Sequence, residues 1–154
     1  MSVTFQQESL AQFIPDAMPL MKAHYLEVAH YQDIPFDPDW DTYLAVEKTG
    51  SFRVFTARDY DGRLIGYACY FVRSNIHYKT SVQATQDVIY IDPSVRGFGR
   101  SFIDWCDTQL KAHGVQVVYH HVKYAKDFGS ALVSLGYEKI EAIYGRRLDG
   151  GING

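Results

Sequence analysis

The sequence predicts a mixed α/β fold of the α+β type, a mostly antiparallel central sheet that includes one parallel pair of strands and is flanked by four helices. Three observations carry this reading. Val88-Ile-Tyr-Ile91 is an apolar run stopped by Pro93, and after Gly97 and Gly99 apolar residues recur at Phe98, Phe102, Cys106 and Leu110 with helical spacing. That strand–turn–helix leads into another strand, Val115–His120, and a strand–helix–strand crossover normally returns parallel. Upstream, Asp61-Gly62 joins two strand-like runs, a strong signal for an antiparallel hairpin.

Val3–Leu10 is read as a short first strand. Met18, Met21, Tyr25, Val28 and Ala29 mark one helical face, introduced by Pro15 and Asp16, which predicts a first helix over 16–31. Gln32–Pro38 is a loop. Asp37 and Pro38 suit the N-cap and first turn of a second helix carrying Trp40, Tyr43, Leu44 and Glu47 and ended by Gly50. Phe52–Arg58 and Leu64–Arg73 form the hairpin, and the second, apolar throughout, is central. After a polar tip, Ser74–Lys79, come the Val88–Ile91 strand and its helix, capped by Gly114. Lys126–Leu135 is a last helix stopped by Gly136, and Tyr137–Leu148 supplies one or two final strands. Residues 1–148 form a single domain and 149–154 a flexible tail.

The 154 residues carry 15 basic and 18 acidic side chains without a basic stripe, which argues against nucleic acid as a partner. No stretch approaches a membrane span and the first residues lack an apolar leader, so a soluble, cytoplasmic protein without membrane partners is expected. Cys69 and Cys106 read as buried reduced thiols. There is no nucleophile elbow, no Walker lysine and no cluster with zinc spacing, so no metal is expected.

The amides of Arg96 to Ser101 lie at a helix start, where unsatisfied N–H groups and the helix dipole favour phosphate. Arg96-Gly97-Phe98-Gly99-Arg100-Ser101 resembles the acetyl-CoA signature of the GCN5-related N-acetyltransferases (GNAT): Gln or Arg, two free positions, Gly, one free position, then Gly or Ala. Ser101 departs from the last requirement, although it is small and its hydroxyl can bond a phosphate oxygen. Asp92-Pro93 and the element order β-αα-βββ-α-β-α-β also fit the family over most of the chain, and the segment Asn75–Lys79 with the overall layout is similar to small bacterial and phage-encoded members.

The resemblance implies acetyl-CoA as co-substrate, held by Arg96, Gly97, Phe98, Gly99, Arg100 and Ser101 and by exposed backbone of Ile89, Tyr90 and Ile91. Two strands, here Val88–Ile91 and Val117–His120, splay to admit the pantetheine arm. An N–H near Ile91 would meet the developing oxyanion. Counting alternate residues back from Ile91 puts Ile89, Asp87 and Thr85 on one face, and Asp87 is the first choice of base, with His120 and His121 as alternatives. Many members carry a tyrosine four residues before the Gly-aromatic pair that follows the last helix and an asparagine seven residues before that tyrosine; here these are Leu132 and Ala125, so either another tyrosine, Tyr144 ahead of Tyr124, protonates the leaving thiolate, or water does, or the protein only binds the cofactor.

Substrate recognition should fall to loops, with Tyr31, Asp33, Phe36, His77 and Tyr78 as candidates. The activity implied is direct transfer of an acetyl group to a primary amine of a small molecule or protein. Two alternatives stand beside it: a non-catalytic protein that keeps the fold and binds CoA or a partner, and transfer of a longer acyl group or to a hydroxyl. Homodimerisation is left open.

Overall fold

The computed structural model of the chain describes residues 2–95 and 97–150. Nine elements follow in order: β1 (Thr4–Glu8), α1 (Leu10–Val28), α2 (Trp40–Lys48), β2 (Phe52–Arg58), β3 (Leu64–Ser74), β4 (Val82–Ile91), α3 (Gly99–Ala112), β5 (Val117–Tyr119) and α4 (Gly129–Ser134). The strands form one mixed sheet in the order β1-β2-β3-β4-β5, antiparallel except for the parallel β4–β5 pair. Residues group into two compact units, one of residues up to Ala17 with Asp39–His121, the other of Met18–Pro38 with the chain from Val122 onward. Among the described residues no helix is long and apolar enough to cross a membrane.

In the first unit the sheet has two differently covered faces. Phe55, Ala68, Tyr70, Val72 and Ala84 point to one face and pack with Phe98, Phe102, Cys106 and Leu110 of α3, whose spacing is the helical one. On the other face Phe13 of α1 meets Tyr67 edge-on at 5.1 Å, and Tyr43 of α2 packs against Phe52 and Phe71. The hairpin between β2 and β3 turns at Gly62 (φ +81°), whose N–H donates to the Asp59 carbonyl. Helix α3 ends as its sequence predicts: Gly114 takes φ +88°, its N–H donates to Lys111 O and the Val115 N–H to Leu110 O.

Several boundaries differ from the sequence reading. The first strand ends at Glu8, and α1 starts at Leu10 rather than at 16, because Ser9 and Gln12 cap each other: Ser9 Oγ accepts from the Gln12 N–H and Gln12 Oε1 from the Ser9 N–H. Glu47 adds a carboxylate to the Leu10 N–H at 2.7 Å. Helix α2 is capped by Asp39, not Asp37, since Asp39 Oδ1 takes the Thr42 N–H. The β4 strand begins at Val82, upstream of the apolar run, while β5 spans only three residues. The last helix is shorter than expected, Gly129–Ser134. The strands predicted over 137–148 are not formed: none of these residues has a ladder partner, and Ile140, Ile143, Tyr144 and Leu148 are exposed.

The second unit is held by polar contacts. Arg147 donates to both carboxylate oxygens of Asp33, pairs with Asp149 and lies over the Tyr31 ring at 5.3 Å. Tyr25 Oη bonds the Ile34 carbonyl and its ring lies 5.6 Å from Phe36, while Lys126 pairs with Glu27. Residues 151–154 of the predicted tail lie outside the described residues.

A buried ion pair joins β1, β2 and α1. The Glu8 side chain is 5% exposed, and its carboxylate accepts from Arg58 through both oxygens and from Gln6 and Thr56, while Arg58 also meets Asp16. Burial alone would raise the Glu8 carboxyl, but these donors overcome it and hold it down at about 2, from an ordinary 4.5. A depressed carboxyl adds stability above its unfolded value and loses it as pH falls through the folded one. Stability measured by urea denaturation should therefore decline between pH 4.5 and about 2, and Glu8→Ala should lose about 3 kcal/mol at neutral pH while flattening that decline.

Candidate active site

Strands β4 and β5 pair only at Gln83–Val117, Ala84–Val118 and Thr85–Tyr119. Beyond Thr85 they part, and the β4 edge from Gln86 to Ile91 has no strand partner on that side among the described residues. A side chain spans the start of the gap. Gln86 Oε1 accepts from His120 Nδ1 at 2.8 Å and from the His121 backbone N–H at 3.2 Å. A backbone N–H only donates, so this atom is the amide oxygen, and His120 must carry its proton on Nδ1. Nε2 then accepts from Tyr70 Oη at 3.3 Å. With both ring nitrogens engaged and burial holding its titration down at about 4, His120 is a neutral strut of the fork. The His121 side chain is exposed.

The second irregularity lies one residue on. In the β3–β4 ladder Cys69 faces Val88 and Tyr70 faces Gln86, so Asp87 is an extra, unpaired residue in a β-bulge. The bulge changes the parity of the strand. Thr85, opposite Phe71, and Asp87 lie on the α2 face, whereas Ile89, opposite Ala68, packs in the α3 core. The expected common face for Ile89, Asp87 and Thr85 is thereby overturned. Tyr43 Oη donates to Asp87 Oδ2 at 2.6 Å. Burial pushes the Asp87 carboxyl above its ordinary range, opposed by that hydrogen bond. Burial and the same carboxylate push the Tyr43 phenol up. Tyr43, invisible as a site residue in the sequence, had only its aromatic character on the second helix to signal it.

Past Ile91 the chain turns into α3. Asp92 orders the turn, accepting from Ser94 N and Oγ through Oδ1 and from Arg63 through Oδ2. Phe98 is 5% exposed and seats the helix start on the sheet against Gly66, where a Cβ would stand 3.0 Å from its ring. Gly97 takes φ +86°. The α3 N-cap is Phe98, which offers no side-chain hydrogen bond, and no acidic residue lies in the first turn. The amides of Gly99, Arg100 and Ser101 thus begin a helix without a side-chain cap, beside the open edge of Ile89, Tyr90 and Ile91. Arg96 lies outside the described residues.

The remaining candidates divide between the units. His77 and Tyr78 sit on the β3–β4 loop of the first, where Asn75 Oδ1 takes both of their N–H groups. Tyr31, Asp33 and Phe36 belong to the second, with Asp33 engaged by Arg147. Tyr144 and Tyr124 are also in the second unit, 95% and 96% exposed, and Tyr144 is not in the strand expected for it. Leu132 is buried. Among the described residues no three His, Cys, Asp or Glu side chains gather as a metal would need.

No family model and no curated protein matches the chain. Among solved structures it is similar to an aminoglycoside acetyltransferase from an uncultured soil metagenomic sample, in complex with sisomicin, at 15% identity and a TM-score of 0.71, over 96% of this chain and 97% of that one. A ribosomal-protein-alanine N-acetyltransferase from Brucella melitensis biovar Abortus is 16% identical with a TM-score of 0.70, over 96% and 99%. Glucosamine-6-phosphate N-acetyltransferase from Arabidopsis thaliana is 9% identical with a TM-score of 0.71, over 97% and 100%. The chain has the GCN5-related N-acetyltransferase fold. In this fold β4 runs from its parting with β5 at Thr85 through Ile91 to the turn that starts α3.

The strut is testable by its titration. His120 should titrate near pH 4 by NMR with its proton on Nδ1, against an ordinary 6.5. A histidine depressed on folding adds stability above the unfolded value, so stability should fall as pH drops from 6.5 towards 4. His120→Asn should abolish that slope.

Proposed function

We propose that this chain is an acetyl-CoA-dependent N-acetyltransferase that moves an acetyl group directly to a primary amine of a small molecule or protein. The observation that carries the reading is the adjacency of a helix start without a side-chain cap, an unpaired strand edge and a half-buried carboxylate in a bulge of that same strand. The similar solved enzymes act on amines, by their descriptions an aminoglycoside, a ribosomal-protein alanine and glucosamine-6-phosphate.

Each part has a task in the chemistry. Amides of Gly97 to Ser101, with Arg96 beside them in sequence, would hold the diphosphate of acetyl-CoA. The backbone groups that the β4 edge turns away from β3 along Ile89–Ile91 would bond the pantetheine amides as an added strand does. Acetyl-CoA supplies a thioester carbonyl activated for attack by an amine. As the C–N bond forms and the C–S bond breaks, an N–H of the Ile91 region would steady the oxygen, Asp87 would take the proton released by the amine, and CoA would leave as a thiolate protonated by a tyrosine or by water. A carboxyl raised by burial suits that task better than a solvated one.

Gly99 allows the first test. A Cβ there would stand 3.5 Å from Ile91, ordinary contact, at a negative φ, so Gly99→Glu should fold while placing bulk and negative charge at the helix start. Calorimetry should show acetyl-CoA binding lost in that variant, and unchanged affinity would remove the turn from the cofactor site. Asp87→Asn should lower turnover about 10²–10⁴-fold with acetyl-CoA affinity nearly unchanged. Leu132, buried where many members of the family carry a tyrosine, favours a second reading as a CoA-binding protein without transfer. Binding of CoA with no release of free thiol across a panel of amines would select it.

A further inference from the structure

Some carboxylates of this protein are bonded through both oxygens and others, Asp16, Glu27, Glu47, Asp87 and Asp127 among them, through one. Glu8, Asp39, Asp59 and Asp92 each accept hydrogen bonds through both oxygens, from arginine, hydroxyl or backbone donors, and each ties two stretches of chain together or caps one. Asp87 differs. Its Oδ2 accepts from Tyr43 Oη at 2.6 Å, and its Oδ1 has no hydrogen bond among the described residues, although the side chain is half-buried and no cation pairs with it. That oxygen is not sealed off: among the described residues the buried side-chain polar atom without a hydrogen bond is the Tyr67 hydroxyl, so Asp87 Oδ1 is open to a donor from solvent or a ligand.

The donor is itself held in place. Asp39 starts α2 so that Tyr43 falls one turn in, and the Tyr43 ring is fixed by Trp40 at 5.4 Å, by Phe52 edge-on at 5.2 Å and by Phe71, stacked at 6.1 Å. The hydroxyl therefore reaches a bulge 44 positions away in sequence without a flexible arm. Of the titratable groups around Asp87, the phenol comes from α2 and the Cys69 thiol from β3, with Tyr67 and Tyr90 further along the same face. Burial pushes the thiol's titration up and keeps it neutral, and among the described residues the Tyr67 hydroxyl has no hydrogen-bond partner.

We propose that Tyr43 is a positioning residue for acetyl transfer, its hydroxyl holding one oxygen of the Asp87 carboxylate so that the other is left to take the acceptor's proton. The proposal rests on Asp87 being the base. In the step, the C–N bond forms, the C–S bond breaks and CoA leaves as a thiolate that takes its proton from water; the amine N–H bond breaks towards Oδ1, and the Tyr43 proton stays on its own oxygen throughout. A donor on Oδ2 also keeps the carboxylate charged against the burial that would protonate it. Tyr43 thus sets how far down in pH the base remains usable.

The test is carboxyl-¹³C NMR titration of Asp87 beside the pH dependence of kcat/KM, in the parent protein, Tyr43→Phe and Asp87→Asn. Phenylalanine keeps the ring stack and removes only the donor. The Asp87 midpoint and the acid limb of kcat/KM should both move up by about 1–2 pH units, the strength of a hydrogen bond to a charged group, with acetyl-CoA affinity unchanged. Replacing Tyr43 by a ring-fluorinated tyrosine, a stronger donor, should move both the other way, which serves as well if Tyr43→Phe does not fold. If Asp87→Asn abolishes turnover but neither substitution at 43 moves the limb, Asp87 remains the base and the role of Tyr43 is overturned. If Asp87→Asn keeps full activity, the base assignment falls and the positioning role falls with it.

Discussion

Among the described residues, the β4 strand from Gln86 onward has a strand neighbour on one side only, and the open backbone edge this leaves is the constraint around which the rest of the first unit is arranged. Unpaired N–H and C=O groups attract other strands, and proteins rarely leave such an edge without a device to control it. Here β5 is limited to three residues, the Gln86 side chain stands in for the next ladder bond, and His120, locked in one tautomer by Gln86 and Tyr70, sets the parting. The bulge at Asp87 bends the same strand at the same place. Helix α3 then starts where the edge ends, because Asp92 orders the turn and the Phe98 ring fills the space that Gly66 leaves on the sheet.

The same physics separates structural from reactive charge. Glu8 is more deeply buried than Asp87, yet its carboxyl is pulled far down because an arginine and two neutral donors surround it. Asp87 has one neutral donor, so burial wins and the carboxyl rises. The difference lies in the number and charge of donors within reach, and those come from elements distant in sequence. A carboxylate that is desolvated yet only half bonded is suited to proton transfer; one bonded through both oxygens is suited to holding strands and a helix together.

Much of the scaffold was legible locally. The Asp61-Gly62 hairpin, the helix beginning at Gly99 and its glycine cap at Gly114 are each set by a few adjacent residues, and the strand–helix–strand order implied the parallel pair. The start of α1 was also written in the chain, as the reciprocal pair Ser9 and Gln12, while Pro15 and Asp16 signal a helix start further downstream. Residues 137–148 carry strand-like alternation without forming a strand, since a strand exists only with a partner and partnership is not a local property.

Up to α4 the sequence by itself determined the element types and their order, with the glycine turn at a helix start and the presence of a carboxylate at 87, because propensity, periodicity and capping act over a few residues. Only the tertiary structure decided which way that carboxylate points and what meets it. One extra residue in β4 reverses the facing of everything before it relative to everything after it, and nothing in the alternation of Thr85, Asp87 and Ile89 announces the insertion. The bulge is visible only against β3, the Tyr43 contact only once α2 lies on the sheet, and the His120 strut only when β5 has returned beside β4. Those are pairings between distant segments, and they form because the folded sheet brings together groups that the chain keeps apart.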